Sequence, residues 1–243
     1  MDYLIKFSYD GTNFFGFQKQ PNLRTVEDEF EKALFSINNH TATKLIASGR
    51  TDKGVHAKMQ TANFHLDIDI TLDKLKMALN SLLPSDVHVF STEIVEKDFH
   101  ARYMVKKKTY EYVLNTGEYD PLSRNYIYQL NRELDIDKVS LAIKSFLGKH
   151  DFKNFVSNES VKNNYIKEIY DCSVKNDGDK VIFSFTGNGF MKYQVRNMVG
   201  TLIKIGLGKL DIDIIDKIFV NESLQPIVYT APSCGLYLTD VEY

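Results

Sequence analysis

With 243 residues, 43% of them hydrophobic and 26% charged, the chain has the composition of an ordinary globular protein and is long enough to bury a proper core in one large domain or two smaller ones. Its net charge of −2 excludes gripping a polyanion by bulk charge, so any nucleic-acid affinity must come from local basic patches and weaken with salt. No apolar run reaches the ~20 residues that span a bilayer, and the opening MDYLIKFSYDG carries an acidic residue where a signal peptide has basic ones, so the expectation is a cytoplasmic protein with no membrane partner.

In chain order, Tyr3, Ile5, Phe7 and Tyr9 alternate with less apolar neighbours, the period of a strand with one buried face. A polar, aromatic loop from Asp10 to Arg24 follows. Thr25 is placed as an N-cap, Glu27, Asp28 and Glu29 sit in the first turn, and Val26, Phe30, Ala33, Leu34 and Ile37 share one helical face. After a short apolar run at Leu45, Ile46 and Ala47 comes a polar loop, then a mixed run to about Leu66, so two strands flank that loop. Leu72, Leu75, Leu79 and Leu82 repeat at helical spacing until Pro84 closes the element. Strands are predicted near Val87–Val95 and Thr109–Leu114. This order argues for an α+β fold, with helices packed on one face of largely antiparallel strands.

The Gly, Asp and Pro content around Thr116–Asp120 marks a seam, dividing the chain into residues 1–116 and 117–243. Beyond it a strand near Tyr126–Gln129 leads to a helix capped by Asp135 and ended by Gly148, with Ile136, Val139, Ile143 and Phe146 on its apolar side. Strands Ile169–Lys175 and Val181–Thr186 flank Asn176–Asp179, whose Asp177 and Gly178 signal a hairpin. A helix over Phe190–Leu207, a short one after Asp211 and a last strand, Leu236–Val241, complete the second half. The order of elements echoes the first half without a sequence repeat. Two such halves would set their sheets side by side and leave a central cleft, a common place for a substrate.

Cys172 and Cys234 form no Cys-x-x-Cys pair and the six histidines show no His-x-x-x-His spacing, so neither a disulfide framework nor a metal is expected. The stretch richest in chemistry is Ser48–Ala57, SGRTDKGVHA. Gly49 and Gly54 bracket Arg50, Thr51, Asp52 and Lys53, so a sharp turn presents a cation, a hydroxyl and a carboxylate together. Taken alone it also reads as a polar turn with a surface ion pair. Lys106, Lys107 and Lys108 form either a basic patch or a solvated edge; Arg196, in a mostly apolar helix, is either a snorkelling side chain or half of an ion pair. Phe14, Phe15 and Phe17 are either an RNA-facing group or packing for their own domain.

GRTDKGVHA resembles the signature of the TruA family of pseudouridine synthases, and other stretches resemble that family's landmarks in the same order. They are FSYDGTNFFGFQKQ, TVEDEFEKAL, LNSLLPSDVHV, FHARY, KKKTYEYVLNT, HDFKNF, FTGNGFMKYQVRNMVGTLIKIGLGK and APSCGLYL. The resemblance implies the pseudouridine synthase fold of two similar halves about a cleft, no cofactor, and a homodimer with RNA crossing both subunits. It implies conversion of uridine to pseudouridine at positions 38 to 40 of the tRNA anticodon stem and loop, after the base has left the stack.

By the same resemblance, Asp52 is the catalytic carboxylate, acting on the sugar, on the base or on a ribose proton. Arg50 and Arg196 would hold it ionised in a water-poor pocket that otherwise favours the protonated form. Tyr110, by its alternation a core residue with a wet hydroxyl, would stack on the extruded uracil and reach C5 as a base, and Leu236 would close the pocket. Substrate contacts are expected from Arg24, His56, Lys58, His100, Arg102, Lys106, Lys107 and Lys108, although His56 and Arg102 could equally hold their loops in place. Glu27, Asp28 and Met191 depart from the family pattern without touching this chemistry. The rival readings are the same reaction on ribosomal RNA, and an RNA-binding or RNA-folding protein without turnover. The intact Arg50, Asp52, Tyr110 and Arg196 speak against the second.

Overall fold

A computed structural model describes residues 1–156, 164–220 and 229–243. In chain order its elements are β1 (Asp2–Tyr9), α1 (Val26–Ile37), β2 (Ile46–Ala47), β3 (His56–His65), α2 (Leu72–Leu82), β4 (Val87–Ile94), β5 (Lys107–Asn115), β6 (Tyr128–Gln129) and α3 (Ile136–Ala142). They continue with β7 (Gly148–Asp151), β8 (Ile166–Asp177), β9 (Lys180–Gly187), α4 (Gln194–Gly206), α5 (Ile214–Val220) and β10 (Leu236–Glu242). No helix among the described residues is long and apolar enough to cross a membrane.

The chain divides into two compact units, Met1–Lys106 with Tyr237–Tyr243, and Lys107–Leu236. This differs from the contiguous halves read at residue 116. β5 pairs with β9 along its whole length, from Lys108 opposite Gly187 to Asn115 opposite Lys180, and so belongs to the second unit. The last strand returns to the first unit, where it pairs parallel with β3, Tyr237 opposite His56. Pairing depends on edge complementarity between distant segments, which local composition does not reveal.

In the first unit the strand order is β4-β1-β3-β10, with β2 against β3. β1 runs antiparallel to both β3 and β4, placing Tyr3 opposite Phe64 and Ile94. The odd-numbered residues of β1 are buried as the alternation requires, and Phe30 of α1 packs its ring 4.5 Å from that of Phe7. α1 buries Val26, Phe30, Ala33 and Leu34, while α2 buries Leu75 and Leu79 against β4. Leu82 is exposed, contrary to the periodic reading, because the chain turns extended at Leu83 ahead of Pro84 and Leu83 takes the buried place.

Thr25 does stand at the N-cap of α1, but its hydroxyl caps nothing and is buried without a partner. The preceding loop does the capping instead. Val26 N–H donates to Gly16 O and Glu27 N–H to Phe17 O, so two of the helix's orphan donors are met by main-chain carbonyls. The segment before α1 is thereby tied to the helix, which matters for the site.

The second unit has the order β5-β9-β8-β7, with β6 parallel to β5. The hairpin falls as read, with Asp177 opposite Lys180 and Gly178 in the left-handed region at φ 63°. Asp135 caps α3 by accepting from Lys138 N–H. The helix then tightens into a 3-10 turn over Ile143–Phe146, and Gly148, expected as its stop, opens β7 at φ 91°. α3 packs on α4, and Phe146, Phe152, Phe155 and Phe185 form the core beneath them. α4 begins four residues later than its periodicity suggests, because Tyr193 adopts a left-handed conformation at φ 65° immediately before it.

Candidate active site

Asp52 sits half-buried on the loop between β2 and β3. Its own carbonyl accepts from Val55 N–H at 3.2 Å, closing the turn through Gly54, which has φ 75°. The neighbouring Thr51 is held from two sides. Its hydroxyl meets the Tyr9 hydroxyl at 2.8 Å in a buried bond, and its carbonyl accepts from Phe17 N–H at 3.1 Å. Burial pushes the Tyr9 phenol up to about 12, opposed by its hydrogen bonds with Thr51 and Gln60. The β1–α1 segment presses against this loop so closely that only glycine fits: a Cβ on Gly11 would stand 2.0 Å from Val55 O, and one on Gly16, itself at φ 95°, 3.0 Å from Thr51 O. The same segment caps α1, so strand, helix and acid-bearing loop form one braced body.

His56 is buried at 2% exposure. Its Nδ1 accepts from Gly11 N–H at 3.0 Å. Asp10 Oδ1, which accepts from the Thr12 amide and hydroxyl, lies 3.2 Å from the same nitrogen. With its ring stacked 4.8 Å from Tyr237, His56 braces the base of the loop. Arg24 is similarly engaged: its guanidinium grips Asp86 with two bonds of 2.7 and 2.8 Å and lies 4.1 Å over the Phe14 ring. Of the three phenylalanines, Phe14 and Phe17 are buried and Phe15 is 40% exposed, with Lys53 Nζ 4.1 Å over its ring. Arg50, Arg102 and Lys106 are exposed; Lys107 and Lys108 are half-buried.

In the second unit, Tyr110 on β5 is 7% exposed and meets the Phe190 ring edge-on at 5.1 Å. Leu236 is buried at the start of β10. Arg196 occupies the first turn of α4, half-buried. Its Nε donates to Ala231 O at 2.7 Å and its guanidinium lies 4.9 Å over the Tyr193 ring. That partner carbonyl was not foreseen, because APSCG gives no hint of lying along α4. Gly200 in MVGTL was the available signal.

The carboxylate of Asp52 on a loop braced through its backbone, the guanidinium of Arg196 and the buried phenol of Tyr110 are groups that can move protons or hold charge. The chain belongs to the family described as tRNA pseudouridine synthase, whose model matches residues 5–104 and 142–243. It is 44% identical over 240 residues to tRNA pseudouridine synthase A of Streptococcus mutans, covering 97% of this chain and 96% of that one. It is 41% identical to the same enzyme of Limosilactobacillus reuteri over 99% of this chain and 96% of the relative, and 42% identical to tRNA pseudouridine synthase A 1 of Bacillus cereus over 97% and 96%. A solved Cbf5-Nop10-Gar1 complex contains a chain aligning at 13% identity and a TM-score of 0.36, over 82% of this chain and 54% of that one, too distant to bear on the site.

Proposed function

We propose that this chain converts uridine to pseudouridine in tRNA, at positions 38 to 40 of the anticodon stem and loop, as a cytoplasmic homodimer that needs no cofactor. The observation that carries the reading is the family match over nearly the whole length, together with an Asp52 loop braced from several directions. The reaction breaks the bond from ribose C1′ to N1 and forms one from C1′ to C5. A proton leaves C5 and N1 gains one, so no electrons are exchanged.

Asp52 supplies the carboxylate for release of the base from C1′. Arg196 keeps that carboxylate charged, and Tyr110 stacks on the freed uracil and takes the C5 proton, with Leu236 keeping water out. Arg50, exposed two residues before Asp52, suits a phosphate, as do Arg102 and Lys106. Half-buried Lys107 and Lys108 follow Lys106 in the sequence and extend the basic run. His56 and Arg24 serve by shaping the loops that the RNA meets.

Incubating the purified chain with an unmodified tRNA transcript, followed by pseudouridine mapping, tests this. Product confined to positions 38 to 40 is expected. Mapping all cellular RNA in a deletion strain extends the test, and loss of pseudouridine only outside tRNA overturns the assignment.

A further inference from the structure

α4 carries a row of unusual residues on one face. Arg196, Gly200 and Lys204 are four apart and so stack along the helix. Residues 229–231 run along this row in the opposite direction. Ala231 lies at Arg196, exchanging two bonds with it: Ala231 N–H donates to Arg196 O at 3.1 Å, and Arg196 Nε donates to Ala231 O at 2.7 Å. Thr230 lies at Asn197, its hydroxyl donating to Asn197 Oδ1 at 2.7 Å. Tyr229 lies at Gly200, where a Cβ would stand 1.5 Å from Tyr229 O. The Tyr229 ring is covered by Lys204 Nζ at 4.9 Å, and its hydroxyl meets Tyr128 at 2.9 Å.

Asn197 is 2% exposed, an expensive residue to bury unless its amide is fully used. Its Oδ1 takes the Thr230 hydroxyl, and its Nδ2 donates to Phe155 O at 2.9 Å. The amide therefore clamps the 229–231 segment to the helix and to the core at once. A guanidinium is a rigid plane on a flexible stem, and fixing Nε fixes the direction of that plane.

We propose that residues 229–231 form a strap that aims the Arg196 guanidinium, with Thr230 as a positioning residue and Asn197 and Gly200 as its seat. This rests on the reading of Arg196 as the cation that serves the catalytic carboxylate. Without the strap, Arg196 still carries its charge but loses the bond that fixes Nε, so a smaller share of its orientations is productive.

Thr230→Val keeps the shape of the side chain and removes the hydroxyl; Thr230→Ser restores it. Steady-state kinetics of the full chain on a tRNA transcript, corrected for folded fraction by thermal melting, should show kcat down about tenfold for Thr230→Val. KM should stay within about twofold of wild type, the mark of a lost transition-state interaction. Thr230→Ser should recover kcat. Gly200→Ala, which must lift the strap, should repeat the defect even though alanine suits a helix better than glycine. A purely structural strap would lower the melting temperature but leave kcat per folded molecule intact. That result, or failure of Thr230→Ser to recover kcat, overturns the proposal. If the wild-type chain makes no pseudouridine at all, it is the assigned activity that falls.

Discussion

The loop bearing Asp52 and the helical turn bearing Arg196 are each fixed by a glycine pressed to a main-chain carbonyl, Gly11 against Val55 and Gly200 against Tyr229. They differ in what has to be fixed. A loop has no repeating hydrogen bonds of its own, so its backbone must be pinned residue by residue: Thr51 by Phe17 and Tyr9, Gly54 by Phe14, His56 by Gly11. A helix holds its own backbone, and only the direction of a long side chain is left to set. There the proposed strap supplies a carbonyl to Arg196 Nε. A short side chain on irregular backbone thus depends on its braced surround, and a long one on regular backbone on contacts made by the side chain itself.

The largest effect should come from removing the carboxylate proposed to act on the nucleoside. Asp52→Asn should lower pseudouridine formation by at least about 10³-fold, with stability within about 0.5 kcal/mol of wild type. Product per tRNA and a thermal melt report the two separately. Turnover near the wild-type rate would end the role given to this carboxylate.

Next in size is the brace itself. Gly11→Ala pushes a methyl group into Val55 O, which should cost about 1–3 kcal/mol by overpacking, read as a lower denaturant midpoint, with loss of turnover alongside. An unchanged midpoint would mean the loop is not clamped at this point and the contrast with the helix is weaker than drawn.

The smallest is the hydroxyl pair. Tyr9→Phe should cost about 1 kcal/mol at neutral pH through loss of the bond to Thr51. The Tyr9 phenol is raised from 10.0 to about 12 by burial, so the folded state favours its neutral form. Its contribution is complete below about pH 10 and fades as the pH climbs toward 12. The variant has no phenol there to ionise, so the stability gap between the two proteins should narrow over that range. Melting temperatures at pH 8 and 11 give the comparison, and a gap that widens would contradict it. Tyr112 and Tyr243 are raised by burial as well, so both proteins should soften in alkali.

Features encoded by near neighbours were legible in the sequence. The alternation of β1, the hairpin at Gly178 and the Asp135 cap all follow from a few adjacent side chains. So did the Asp52 loop, because its two glycines and its flanking runs are local. Features set by distant partners were not. Thr25 looks like a cap, and nothing nearby says that Gly16 and Phe17 carbonyls take over the task. Nothing near Arg24 or His56 in the sequence points to Asp86 or Gly11 as their partners. Three adjacent phenylalanines are alike on paper, and only the folded β1–α1 segment separates exposed Phe15 from buried Phe14 and Phe17.

The return of β10 to the first unit has a consequence for biosynthesis. Residues 107–236 are contiguous in the chain, whereas the first unit joins residues 1–106 to Tyr237–Tyr243, among them Tyr243, whose hydroxyl bonds Thr61 and Ala101 O. The first unit is thus completed only after the second has been synthesised, and a chain cut before Leu236 should leave the edge of β3 that meets Tyr237 and Leu238 open to proteases.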